Sequence, residues 1–441
     1  MNRRELLRMG VTAGGFLVCG GVRMAMAQQP YSGPYWLFVE ADGGWDTTSF
    51  CDPKGAGLGP DGAINTYDPA DIRRIGNIRY APPPDRYAND SSLYSNREFF
   101  ETHYQRLLVI NGINYGTNSH VVGRTVNWTG RHAPGYPALP ALIAAENAAD
   151  LALPFLTNSS NESSDTAKLV PQTRVRREDA AAIREIAEPY RRDLAQPAEY
   201  HSSAMRSLID TAAAERRDRQ LAEQRLLRVR QALAGHDVAR NRDAQSLQAF
   251  ATNLGNASAP NAYVQSQARA RRLFDQAQVA FAAFEAGAAA TAQIMLGGFD
   301  THTDHDNLHY PQLMDYLAAV DNIITDAQSR GLANQVIIVM ASDFARTNVY
   351  NTDNGKDHWP HSSIMAWGAP AWFAGNRVIG ATNDLQVSRR VNPNTLALDD
   401  NGVELTPAHV HQALRALAGI DQNPAVTANF PFAQPVLPLF A

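Results

Sequence analysis

The sequence predicts an α/β fold, a mostly parallel sheet sandwiched by helices, with a long helical insertion. Three observations carry this. Short apolar runs of strand length alternate with stretches of helical periodicity, the pattern of a sheet covered on both faces. The runs are apolar at nearly every position instead of every second one, as in strands buried on both sides. Between residues 174 and 290, Ala, Arg, Glu and Gln dominate and apolar residues recur at helical spacing, among them Leu208, Ala212, Leu221, Leu226, Val229 and Leu233.

The N-terminus reads as a processing segment. Arg3-Arg4 is followed by a weakly apolar, glycine-rich stretch to about residue 22, and Ala25-Met26-Ala27 forms a small-residue cleavage site. This is the layout of a twin-arginine export signal, too short and glycine-rich for a good membrane-spanning helix. The expected organisation is a signal at 1–27 and an α/β domain at 28–441 with the 174–290 segment inserted. The twin-arginine export machinery is then a partner, the destination is the periplasm or the exterior, and the mature form carries no transmembrane anchor. Losing the signal removes four arginines and one glutamate and takes the formal charge from −5 to −8. Mild acidity gives no bias toward nucleic acid. With Cys19 in the signal, Cys51 remains alone, so no internal disulfide forms.

The first buried strand is read at 35–41, stopped by Asp42-Gly43-Gly44-Trp45-Asp46. Residues 52–95, rich in Pro, Gly, Asp and Asn, read as loop. A second strand at 106–110 leads through Asn111-Gly112 to Ser119-His120 and a helix. The insertion reads as two or three long helices, broken near Gly235-His236 and at 255–260, forming a structural layer on the sheet or a partner-binding arm. Strands follow at 292–296, 335–341 and 363–368, with helices at 311–330 and 406–417.

Carboxylates and imidazoles cluster just after these strands. In an open α/β sheet the strand ends lie side by side, so such residues can converge on one ion or phosphate. Asp42 and Asp46 are alternative hard-metal ligands, or turn aspartates. Ser119-His120 opens a helix, where a hydroxyl sits among free backbone N–H groups, as nucleophile or as plain N-cap. Asp300-x-His302 can present a carboxylate and an imidazole to one ion, with His305 and His309 close behind. Asp343 follows the strongest strand, and Arg346 either neutralises an oxyanion or pairs with Asp343. Asp357, His358 and His361 lie in a loop where function commonly lives. The remaining histidines (103, 132, 201, 236, 409, 411) have no comparable context.

These motifs resemble the exported family named domain of unknown function 1501. The shared segments are Gly43-Gly44, Asp52-Pro53-Lys54, Ser119-His120, Trp128-Thr129-Gly130 and Gly135-Tyr136-Pro137-Ala138-Leu139, then Gly298 to His302, Ser342 to Thr347, Gly355 to His358 and Gly380-Ala381-Thr382. The resemblance implies an alkaline phosphatase-like fold. It implies one or two divalent ions (zinc, manganese, magnesium or calcium) held by Asp42 or Asp46, Asp300, His302, Asp343 and His358. Ser119 is then the nucleophile or its vestige. The chain departs from the wider superfamily where Phe344 follows Asp343 in place of histidine, and Asp343 and Ala345 replace the family's more common Glu and Gly. Residues 51–54 are not the sulfatase nucleophile motif. The expectation is an exported metal-dependent hydrolase acting on a small anionic phosphate or sulfate ester. The rival is an inactive binding or assembly protein meeting an envelope component.

Overall fold

Strand β1, Tyr35–Asp42, lies in the middle of an eight-stranded sheet and pairs in parallel on both sides. The computed structural model describes residues 31–441 except 56, 60–61, 159–168, 171, 188–190, 194–195, 227–228, 231–232, 234–243 and 256–257. The 1–27 signal and the expected break at Gly235-His236 thus lie outside the described residues. After β1 come helix α1 (Asn96–His103), β2 (Leu107–Asn114), α2 (His120–Thr129) and α3 (Leu139–Asn147). Short strands β3 (Phe155–Thr157) and β4 (Gln172–Thr173) precede the helical segment. That segment holds α4 (Ala180–Ala187), α5 (Ser203–Glu223), α6 (Ala244–Gly255), α7 (Ala262–Ser266) and α8 (Ala268–Glu285). Then follow β5 (Thr291–Gly297), α9 (His305–Ser329), β6 (Val336–Ser342), β7 (His361–Trp367), β8 (Arg377–Ile379) and α10 (Pro407–Leu417).

The strand order is β8-β2-β7-β6-β1-β5-β3-β4. Only β7 runs against its neighbours β6 and β2; every other pairing is parallel. The mostly parallel sheet read from the sequence is therefore the one observed. Its two faces bury alternate residues of the same strands. Leu37, Val39, Ile338 and Met340 pack with α8 and α9 residues such as Phe281, Leu317 and Ile324. Trp36, Phe38, Ile337 and Val339 pack with α2, α3 and α10 residues such as Val126, Leu142 and Val410. Each such side chain contributes about 1.5–3 kcal/mol by leaving water, which explains why these strands show no polar alternation.

Several elements depart from the sequence reading. The segment read as loop at 52–95 contains two small hairpins, Leu58–Gly59 with Gly62–Ala63 and Arg73–Ile75 with Ile78–Tyr80. Strands of two or three residues carry too little period to be seen. Helix α1 starts directly after it with a Ser95/Glu98 capping box, a local signal that was present. Helix α9 begins at His305, ahead of the expected start at Pro311. His305 and His309 are buried there, so tertiary contact carries the helix through the proline. The helical segment divides in two. Helix α8 joins the core, whereas none of the 21 residues of α5 is buried.

Helix α2 lies so close to the end of β6 that a Cβ on Gly123 would come within 2.5 Å of the Asp343 carbonyl oxygen and 2.9 Å of the Phe344 ring. Gly→Ala inside a helix ordinarily stabilises by about 1 kcal/mol. Here Gly123→Ala is expected to lower the melting temperature instead, because α2 must move off β6; an unchanged or raised melting temperature would contradict this packing.

Candidate metal centre

Strands β1, β5 and β6 end level with one another, Asp42 opposite Gly297 and Ala41 opposite Ser342. Each chain then turns over the same sheet edge. The turns pack backbone against backbone. Gly43 has φ +116°, donates its N–H to Asp343 Oδ1 at 3.1 Å, and has no room for a Cβ, which would lie 2.6 Å from the Asp300 nitrogen. A Cβ on Gly355 would overlap the His302 carbonyl oxygen. Glycines here let carboxylates and imidazoles from distant segments close on one point.

That point is surrounded by His120, Asp300, His302 and His358. Each imidazole has its Nδ1 engaged: His120 with Asp343 Oδ2 at 2.5 Å, His302 with Asp357 Oδ1 at 2.8 Å, and His358 with the Asn118 carbonyl at 2.7 Å. All three partners only accept, so each Nδ1 carries a proton, and each Nε2 offers a lone pair when its ring is neutral. The Nε2 atoms lie 3.2, 3.0 and 3.2 Å from Asp300 Oδ1, and those of His302 and His358 are 2.9 Å apart. At that distance the two nitrogens share either a proton or a cation. Metal–nitrogen bonds of about 2.05 Å put tetrahedral donors about 3.3 Å apart, close to the separations of His120 and His358 from Asp300. Carboxylate or carbonyl partners behind ligating imidazoles are the usual outer support of such sites. His120, Asp300 and His358 each bring a ligand atom within 4.8 Å of the others.

Charge in the site is strongly organised. Burial works against Asp300, yet the Arg346 guanidinium, His358 and His120 hold its carboxyl far below the usual range. Burial also opposes a charge on His120, but Asp343 and Asp300 together raise its pKa. Arg346 is fully buried and donates to Gly44 O at 3.0 Å, Lys356 O at 3.1 Å, Asp300 Oδ1 at 2.6 Å and Gly43 O. Its donors are spent inside the chain. The centre itself opens to solvent, Asp300 being 49% and His302 44% exposed. Ser119 is exposed beside it, the N-cap of α2, with no side-chain cap bond.

The other expected residues stand elsewhere. Asp42 is held by Arg124 through two bonds of 2.6 and 3.0 Å. His361 pairs with Ser388 at 2.6 Å. Asp46, His305 and His309 form a separate, sealed cluster. Asp46 Oδ2 takes Lys356 Nζ at 2.7 Å, His305 Nε2 at 3.1 Å and Ser49 Oγ at 2.7 Å. The proton positions follow in a ring. The Asp46 N–H donates to His309 Nε2 at 2.9 Å, so His309 carries its proton on Nδ1 and donates to Thr301 Oγ1 at 3.0 Å. Thr301 then donates to His305 Nδ1 at 3.1 Å, and His305 Nε2–H returns to the Asp46 carboxylate. Sequence reasoning missed Lys356, Arg124, Thr301, Asn65 and the Asn118 carbonyl. Lys356 sits inside the Gly355–His358 motif, but a lysine beside an aspartate in a loop reads as solvated.

Burial pushes the His305 and His309 pKa values down, His309 the further, since two stacked rings disfavour a charge on both. An unfolded histidine titrates near about 6.5. The stabilisation tied to these neutral rings is therefore complete above that pH and is lost as pH falls toward the folded-state values. The melting temperature is expected to drop from pH 7 to pH 5, and less steeply in His309→Gln; equal slopes would place the sensitivity elsewhere.

No curated protein matches this chain. Solved structures similar to it include the sulfatase PsFucS1 from Pseudoalteromonas sp., at 8% identity and TM-score 0.39, covering 90% of this chain and 70% of that one. The lipoteichoic acid synthase LtaP from Listeria monocytogenes aligns at 8% and 0.36 over 89% of this chain and 74% of that one. An alkaline phosphatase from the Antarctic bacterium TAB5 aligns at 11% and 0.33 over 79% and 95%. The family model described as protein of unknown function (DUF1501) matches residues 37–423, and the chain belongs to that family.

Proposed function

We propose that this is an exported metal-dependent hydrolase-like protein acting on a phosphate or sulfate ester, with His120, Asp300, His302 and His358 as its metal ligands. The observation that carries it is the convergence of His120, His358 and the Asp300 carboxylate, with His302 Nε2 adjacent and each imidazole held from behind. An imidazole-rich set suits zinc better than manganese, magnesium or calcium. A bound ion would polarise an anionic ester and lower the pKa of a hydroxyl beside it. Ser119 is the nucleophile in this reading. Its hydroxyl is exposed, uncommitted to capping and one residue from a ligand, at a helix N-terminus that favours an anion. Asp343, Asp357 and the Asn118 carbonyl act as positioning groups. Arg346 fixes Asp300 and the turns instead of touching substrate. The twin arginine and Ala25-Met26-Ala27 support export to the periplasm or exterior through the twin-arginine machinery.

A binding or assembly role without turnover is the second reading. It is favoured by α5, which buries none of its residues and leaves Met205 and Leu208 exposed.

Protein purified from its native export route is expected to hold about one zinc per chain. Asp300→Ala and His358→Ala should lose it, and Asp343→Asn should weaken binding by roughly 10–100-fold. Metal analysis beside a melting curve decides this: folded wild type that neither contains nor takes up metal rules the centre out. Ser119→Ala should keep the metal and lose ester turnover, read with aryl phosphate and aryl sulfate substrates. Turnover unaffected by that change would remove Ser119 from the mechanism.

A further inference from the structure

The sealed cluster beside the centre is built like a cation site whose occupant is a side chain. Lys356 Nζ is fully buried and meets Asn65 Oδ1 at 2.6 Å, Asp46 Oδ2 at 2.7 Å and Thr48 Oγ1 at 3.3 Å, with the Tyr350 ring centroid 5.0 Å away. Its three N–H groups thus face a carboxylate, an amide carbonyl and a hydroxyl, all of them oxygen donors. The donors are themselves fixed. Asp46 Oδ1 accepts from the Thr48 N–H and hydroxyl, and Asn65 Nδ2 donates to Thr48 Oγ1. His305 Nε2–H, closing the ring described above, holds the carboxylate from the other side. Nothing in this shell depends on the lysine for its orientation except the charge balance of Asp46.

We propose that Lys356 is a tethered cation filling a preformed hard-cation pocket made by Asp46, Asn65 and Thr48, whose oxygen donors would otherwise take an inorganic ion. The oxygens stand 2.6–2.7 Å from Nζ at their closest, near the 2.3–2.6 Å at which Ca²⁺ binds oxygen, and removing the lysine side chain leaves space for the waters that complete its shell. The tether also has a structural consequence. Lys356 lies two residues before His358, its carbonyl takes Arg346 and its N–H donates to Thr301 O at 3.3 Å. Anchoring its ammonium in the pocket sets the segment that delivers Asp357 and His358 to the neighbouring centre, whether or not that centre is loaded.

The proposal rests on the pocket's geometry and not on the function proposed above, and Ca²⁺ separates the two, because oxygen donors suit it and three imidazoles do not. The test is Ca²⁺ binding by equilibrium dialysis to wild type, Lys356→Ala and Lys356→Ala/Asp46→Asn, each as purified. Lys356→Ala is expected to bind one Ca²⁺ more than wild type, and the double variant no more than wild type. An unchanged count in the single variant, or an extra ion that survives loss of the Asp46 charge, overturns the proposal. If Lys356→Ala leaves Asp46 too poorly compensated to fold, millimolar Ca²⁺ should restore its melting transition. A variant that stays unfolded with Ca²⁺ overturns the proposal equally. Wild type lacking transition metal while Lys356→Ala gains Ca²⁺ would remove the His120–His358 centre and leave the tethered cation standing.

Discussion

One buried guanidinium holds the working edge of the sheet together. Arg346 comes from the segment after β6, yet it donates to both glycine carbonyls of the turn after β1, to the Lys356 carbonyl, and to the carboxylate that follows β5. Three chain segments that share no secondary structure are thereby fixed to one planar donor set. A buried cation left without such partners is strongly destabilising, so the turns and the arginine require each other. Asp300 gains its low pKa from the same contact, which keeps its carboxylate charged beside three imidazoles.

Around this clamp the chain sorts similar residues into two different environments. On the solvent side, His120, His302 and His358 have acceptors behind them and lone pairs in front. On the sealed side, His305 and His309 spend both nitrogens in a hydrogen-bonded ring, and the lysine ammonium supplies the charge that Asp46 needs. The difference lies in exposure and in partner polarity, not in residue type. A ring nitrogen backed by a carboxylate or carbonyl leaves its mate as a ligand. A ring nitrogen backed by a backbone N–H has already used its lone pair.

The sheet was legible in the sequence because β1, β5 and β6 are apolar on both faces and end in Asp or Gly-Gly signals. So was the gathering of Asp300, His302, Asp343 and His358, since residues just past parallel strands must share an edge. What pairs with what at that edge was not legible. Asp42 and Asp46 are four residues apart in one turn, and only the fold shows that one meets Arg124 and the other Lys356. Arg124 sits on α2 and Lys356 in a loop, contacts set by tertiary packing that no local period encodes. The early start of α9 escaped for the same reason, and the hairpins before α1 because strands of two or three residues show no period.

The reversed strand β7 has a topological consequence. A parallel crossover after β6 would have carried the chain to the far side of the sheet before the next strand could begin. Because β7 runs backwards, the connection never leaves the edge on which β6 ends, and Asp343, Arg346, Lys356, Asp357 and His358 all fall within one short excursion. One ligand, His358, and the positioning groups Asp343, Arg346 and Asp357 are therefore contiguous in the polypeptide, while His120, Asp300 and His302 are delivered from elsewhere. Exchanging that excursion between members of the family would change His358 and the groups that position the centre together, while the ligands after β5 and on α2 stay in place.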